Sequence, residues 1–488
     1  MKKILIYLMT LVLVASCVDD LDDYNVDQKR ATNVPPATLF TNAVKNLADV
    51  LTTPNVNVNN YRFYVQYWAS TQYLDEPRYN MTSRLIPQNI WQTLYRDVLN
   101  DLKESRRLVV ADQVTPQAEK NNQLAQIEMM EVYAWSVLVN TFGDVPYTQA
   151  LDPTNSLPAY DDARTVYNSI LDSLDMALGL ITTTDASGAS VAGFEDGDVF
   201  YGGDMEQWRK FGHSLKLKLG MVLADVDPAQ ARTLVEEAVG GDLNNVFTSN
   251  NDNAAFPYLG APPNNNPISS NVKGPLTSRE DFVAANTLVD VMNNLNDPRR
   301  PEYFSDVNGQ FVGGRYGFTN VYSNFSTVSD KIADPTFEAL LLDYSEVRFL
   351  LAEAVERGFS VPGTAQEHYN AAITASITYW GRTQAEAAAY LAQPGVNYST
   401  APGDWRQKIG TQKWIALYNR GFDAWLEWRR LDAPNLQPPM GEGVGSLTIP
   451  TRLIYPINEQ TLNGSNRAAA ASAIGGDLRE TKLFWDVL

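Results

Sequence analysis

Apolar residues recur at three- and four-residue spacing along most of the chain, the pattern of helices that bury one face. After Pro35 and Pro36, the positions Phe40, Ala43, Val44, Leu47 and Leu51 mark a first helix. The aromatic-rich run from Tyr61 to Ser70 is read as a second. Pro87 opens a third, with Trp91, Leu94, Tyr95, Val98 and Leu102 on one face. A fourth runs from Gln117 to Phe142, with Leu124, Ile127, Tyr133, Ala134, Val137 and Leu138 inward, and Gly143 and Pro146 stop it. A fifth covers Asp161 to Leu180, and Asp204 caps a sixth that turns Trp208, Phe211, Leu215 and Leu219 inward. Helices are also predicted at Pro228–Val239, Glu338–Arg357, Gln366–Trp380, Gln384–Ala392 and Asp404–Tyr418.

The stretch from Lys413 to Asp432 concentrates the large aromatics. Trp414, Leu417, Tyr418, Trp425 and Trp428 share a helical face, and Asn419-Arg420-Gly421 interrupts it, so two helical segments meet at a corner. The alternating charges Glu427, Arg429, Arg430 and Asp432 are read as a structural ion network in preference to catalytic groups.

Helices of ten to twenty residues in succession predict an all-α dominated fold of paired antiparallel helices, with long loops and a few short strands. The strands are placed at Gln310–Val312, Phe318–Tyr322 and Leu453–Ile457. No fixed-period repeat is visible. Two segments break the helical pattern: Gly240 to Ser278, rich in Asn, Pro and Gly, and Asn296 to Pro335, rich in aromatics. Loops of this length are either functional or disordered, and aromatic content argues for order.

Composition narrows the class. Hydrophobic residues at 44% and aromatics at 11% describe an ordered globular protein. The formal charge of −19 argues against nucleic acid as a partner, because nothing neutralises a phosphate backbone. Lys2 and Lys3 precede an apolar run from Ile4 to Val14 that is too short to span a bilayer. The run ends at Val14-Ala15-Ser16-Cys17, which resembles a bacterial lipobox. Residues 1–16 are therefore read as a signal peptide and Cys17 as the lipid anchor. Cys17 is the only cysteine, so no disulfide forms within one molecule. Residues 17–35 form a lipidated N-terminus and acidic linker, and residues 36–488 a single domain.

Candidate chemistry is sparse. His213 and His368 are far apart, each within a helix, and no clustered metal ligands, P-loop or nucleophile elbow is present. No catalytic residue, metal or cofactor is expected. Asp196, Asp198 and Asp204 pose a choice between an oxygen-ligand Ca²⁺ site and a turn whose Asp204 caps the next helix; the turn is favoured. A carboxylate pair of the glycosidase type is set by distance in space and is not readable from spacing.

Several motifs in order resemble the SusD/RagB family of Bacteroidetes nutrient-binding lipoproteins. They are the lipobox at Cys17, Thr71 to Tyr79, Phe142 to Tyr147, Tyr201 to Met205, Ser345 to Ala354, Lys413 to Asp432, Arg452 to Pro456, and Gly475 to Asp486. The segment Val18-Asp19-Asp20-Leu21-Asp22-Asp23 also resembles the acidic export signal of surface lipoproteins in that phylum. The resemblance implies a SusD-like fold with four tetratricopeptide-like helix pairs. It further implies a lipoprotein on the outer face of the outer membrane, paired with a SusC-like, TonB-dependent transporter as its lid. The ligand would be an oligosaccharide, or in some relatives a peptide, captured without covalent chemistry. A glycoside hydrolase and a purely structural adaptor are the readings from other classes.

A sugar surface needs flat ring faces together with amide, carboxylate or guanidinium groups. The long loops and the segment Trp68 to Tyr79 supply both. The expected ligand-binding residues are Tyr73, Arg78, Tyr79, Tyr258, Asn265, Arg315, Tyr316, Tyr322 and Phe325.

Overall fold

Proline sets the start of the first described helix. Pro36 at the first turn opens helix α1 (Pro36–Thr52), where a missing N–H costs nothing, and Phe40, Ala43, Val44 and Leu47 are buried along it. The structure is a computed structural model that describes residues 34–488. The expected signal peptide, the Cys17 anchor and most of the acidic linker lie outside the described residues.

Ten more helices of ten or more residues follow. They are α2 (Asn100–Ala111), α3 (Gln117–Phe142), α4 (Ala163–Leu180), α5 (Met205–Val222), α6 (Pro228–Val239), α7 (Tyr344–Glu356), α8 (Ala365–Tyr379), α9 (Trp405–Ala416), α10 (Gly421–Leu431) and α11 (Gly464–Ala473). Aspartates cap five of them: Asp162, Asp204, Asp227, Asp343 and Asp404 each accept from a backbone N–H of the first turn. Helices α1 and α2 pack together, as do α3 and α4, α5 and α6, and α7 and α8, which gives the expected helix pairs.

The corner between α9 and α10 is built by two residues. Asn419 takes the left-handed conformation at φ 73°. A Cβ on Gly421 would come within 2.9 Å of the Arg62 backbone N, so glycine serves close approach there. Of the four expected network charges, Glu427 and Arg430 join a buried ion network, whereas Arg429 donates to the backbone carbonyls of Trp425, Asn140 and Thr451 and Asp432 is exposed. Lys218 of α5 pairs with Glu346 of α7 at 3.0 Å and with Asp423 of α10, while Arg420 reaches Glu346 at 2.7 Å. Arg430 bridges Glu353 and Glu427, and Lys413 of α9 reaches Glu427 at 2.7 Å. Four helices are thereby tied together through buried, mutually paired charges.

The strands differ from expectation. Tyr61 to Ser70 is not one helix: Tyr61–Tyr64 is a single helical turn, Gln66 takes φ 58°, and β1 (Trp68–Ser70) pairs antiparallel with β3 (Phe282–Ala284). The predicted helix from Glu338 divides. Its first residues form β4 (Ala339–Leu342), paired with β2 (Ala254–Phe256), and Asp343 caps α7. None of the three predicted strands forms. Gln310 makes only an isolated bridge with Val307, Tyr322–Asn324 is a 3₁₀ turn, and Leu453 lies in extended backbone whose N–H donates to Thr141 O. β-Prone residues there lack a partner edge, and strands exist only in pairs.

Candidate functional site

Three loops far apart in sequence converge on one face through Arg78 and Arg315. Arg78 Nε donates to Gly317 O at 3.1 Å, and its Nη1 donates to Gly443 O at 3.1 Å. Arg315 Nη2 donates to Met440 O at 3.3 Å. Both guanidinium groups lie against the Phe318 ring, Arg315 at 3.5 Å and Arg78 at 5.7 Å from its centroid. Glycine allows this meeting: Gly317 has φ 78°, and a Cβ there would stand 2.2 Å from Pro439 Cβ.

Tyr73 precedes Arg78 on the same loop. It is 49% exposed and is the one aromatic side chain in the exposed class among the described residues. Arg84 lies 5.3 Å from its ring centroid and pairs with the buried Glu76. Asp75 accepts from Ser83 Oγ at 3.0 Å, which folds the loop back beside the ring.

An open groove of about 470 Å³ runs alongside, lined by Arg78, Asn80, Thr82, Ile454, Leu478, Arg479 and Glu480 among others. Arg479 Nη1 donates to Tyr79 O at 2.9 Å and pairs with Glu480 at 2.6 Å. Asp477, at the groove floor, is held by Arg452 at 2.6 Å and by Arg467. Both its oxygens are committed to guanidinium groups. The groove thus offers guanidinium groups and the Asn80 amide, and suits recognition of hydroxyl-rich ligands.

The expected residues separate into two sets. Arg78 and Arg315 meet on this face, and Tyr73 is exposed on the loop that carries Arg78; Tyr322 and Phe325 are half-buried nearby in sequence, on the segment that follows Arg315. Tyr79, Tyr258, Asn265 and Tyr316 are buried, and this corrects their assignment as ligand-facing. Tyr316 Oη donates to Phe63 O at 2.5 Å, Tyr258 Oη donates to Asp49 at 2.9 Å, and Asn265 Nδ2 donates to Asn266 O, Ser269 Oγ and Ser270 Oγ. Tyr79 takes φ 65°, and burial pushes its hydroxyl pKa up to about 12. Each serves the framework that holds the loops. Phe318, Met440, Arg84 and the 478–480 segment were not anticipated. No periodic signal marks them, since they sit in irregular backbone.

The alternative chemistries are also placed. Asp198 accepts from Trp208 Nε1 at 2.6 Å, Gln126 Nε2 at 3.1 Å and the N–H groups of Phe200, Tyr201 and Gly203, while Asp204 caps α5. That is a structural turn, and among the described residues no cluster of three metal-ligating side chains occurs. His213 is half-buried on α5, and His368 is buried with its Nε2 2.8 Å from Pro362 O.

Comparisons with known proteins agree with this architecture. Residues 28–456 match the SusD-like family described as "Starch-binding associating with outer membrane". A chitin-binding SusD homologue from Flavobacterium johnsoniae is 26% identical, with a TM-score of 0.78 over 92% of this chain and 98% of its own. A structure described as a chitin-binding protein is 27% identical, with a TM-score of 0.79 over 93% of this chain and 100% of its own. A SusD homologue from Bacteroides uniformis is 27% identical, with a TM-score of 0.74 over 92% and 99%. A comparison with proteins of curated function found no match. With the match covering most of its length and the fold shared end to end, the chain belongs to the SusD-like family.

Proposed function

We propose that this protein is a non-catalytic, cell-surface receptor for an oligosaccharide or polysaccharide. Cys17 anchors it by lipid to the outer membrane, and it delivers its ligand to a SusC-like, TonB-dependent transporter. The ligand lies along the face carrying Tyr73, Arg78, Arg315 and Phe318, with Tyr322 and Phe325 at its margin. The observation that carries the reading is Tyr73, a lone exposed ring on the loop whose Arg78, Asn80 and Thr82 line the groove. The exposed face of an aromatic ring complements the apolar face of a pyranose. Family membership and the chitin-binding relatives support the same reading.

The test is calorimetric titration of the purified protein against soluble glucans, mannans, xylans, chito-oligosaccharides and peptides. One glycan bound with no product on long incubation supports it. Tyr73→Ala and Phe318→Ala should each weaken that binding about tenfold, the worth of one stacking contact, without unfolding the protein. Binding to peptides alone, or release of sugar products, refutes it.

A further inference from the structure

We propose that Arg78 and Arg315 form an anion subsite on the ligand face, so that the glycan this protein takes carries acidic groups, either uronate carboxylates or sulfate esters. The assignment rests on the glycan-binding reading and names its substrate class. Both guanidinium groups lie at the Phe318 ring, and Arg78 also lines the groove, so one bound chain can meet groove and subsite together.

Arginines on the neighbouring loops are neutralised by carboxylates: Arg84 by the buried Glu76, Arg279 by Asp281 at 2.6 Å and Arg479 by Glu480 at 2.6 Å. Arg78 and Arg315 meet only backbone carbonyl oxygens, and among the described residues neither has a carboxylate partner. Glu442 sits on the loop that both arginines touch, between Gly441 and Gly443, yet it is exposed and pairs with neither. The carbonyls take up some donors and leave the charge. Arg315 keeps Nε and Nη1, and Arg78 keeps Nη2, without a protein partner. Arg315 is exposed, and Arg78 Nη2 is not sealed from solvent. The Phe318 ring orients Arg315 but carries no net charge to neutralise it.

Two like charges at one ring repel each other, and a guanidinium stays charged at any physiological pH. An anion held by both removes that repulsion and gains charge-assisted hydrogen bonds roughly twice as strong as neutral ones. The rest of the surface works the other way. A net charge of −19 repels an acidic chain at long range, so unpaired cations on this face give such a ligand its place to bind. A neutral hexose offers acceptors to the same donors but leaves both charges uncompensated. A protonated amino sugar is repelled.

Calorimetric titration tests it with oligomers of alginate, polygalacturonate and glucuronoxylan, each beside its methyl ester, and of sulfated galactan beside its desulfated form. One acidic glycan should bind at least about tenfold tighter than its uncharged form, and the preference should shrink as salt rises. A preference lost on esterification names the carboxylate, and one lost on desulfation names the sulfate. Arg78→Gln and Arg315→Gln should each reduce the preference about tenfold while the melting temperature reports an intact fold. Arg315→Lys, which keeps the charge, should retain more of it than Arg315→Gln. The preference is a ratio within one variant, so a general loosening of the loops lowers both affinities and leaves it unmoved. Equal affinity for charged and uncharged forms, binding of neutral glycans alone, or full preference retained in both glutamine variants overturns the subsite and leaves glycan binding standing. Silence towards every glycan, acidic and neutral, overturns both.

Discussion

Replacing Arg430 by Met should destabilise the protein by about 3 kcal/mol at neutral pH, and the reason lies in what the substitution strands. Arg430 is buried, as are Glu353 and Glu427, the two carboxylates it holds. It donates Nη1 to Glu353 at 2.7 Å and Nη2 to Glu427 at 2.8 Å. Methionine keeps the volume and removes the charge. Breaking a buried pair from one side costs about 3–5 kcal/mol, chiefly through the uncompensated charge. Glu353 retains Arg357 at 2.7 Å and Glu427 retains Lys413 at 2.7 Å, so the lower end applies. In a chain this long the unfolding entropy is large and each kcal/mol moves the melting point only about 1 °C, so urea titration is the better assay.

The same variant should respond to pH in a defined direction. Burial pushes the Glu353 carboxyl up, and Arg430 and Arg357 more than offset it, holding it below the usual carboxylate range. In the wild type this contributes stability above the unfolded value, about 4.3, that is lost as pH falls through the folded one. Without Arg430 burial prevails, and Glu353 takes up a proton at higher pH, which relieves the stranded charge. The difference between variant and wild type should therefore be largest near pH 7 and shrink towards about pH 5. Adding Glu353→Met to Arg430→Met should recover part of the loss. A gap constant across that pH range, together with no recovery in the double variant, would refute the stranded-charge account.

Three further outcomes follow from named contacts. Tyr316→Phe removes the hydroxyl that donates to Phe63 O; it should cost about 1–3 kcal/mol in urea titration while leaving glycan affinity unchanged, and a loss of affinity at unchanged stability would return Tyr316 to the ligand face. Asp198→Ala strands the Trp208 indole and three backbone N–H groups, so it should lower the melting temperature, and neither Ca²⁺ nor a chelator should move the wild-type melt; a rise on adding Ca²⁺ would revive the metal reading. Burial holds the His368 imidazole down to about 4, so the unfolded chain gains a proton first as pH falls. Stability from this residue is full above about 6.5 and declines towards about 4, and His368→Phe should flatten that interval in a pH series of urea titrations.

The sequence alone determined the helical body, because helix periodicity, proline entry and aspartate caps are local features read within a few turns. Trp208, Trp414 and Trp425 fall on apolar faces and are buried in the structure; Asp204 precedes an apolar-periodic run and caps it. Of the four charges read as a network from their alternating signs, Glu427 and Arg430 are in one, while Lys218, Glu346, Glu353, Lys413, Arg420 and Asp423 joined it through tertiary contacts. Tertiary structure decided everything that depends on which distant segments meet. Leu340 reads as the start of a helix and lies instead in a strand, since Ala254–Phe256 offers it an edge. Tyr73 and Tyr316 are both loop tyrosines, yet Tyr73 stands in water while Tyr316 is buried on Phe63. Nothing in their immediate neighbours separates them. Ring exposure is set by packing between residues hundreds of positions apart, and the groove and the Arg78–Phe318–Arg315 stack arise from the same long-range convergence.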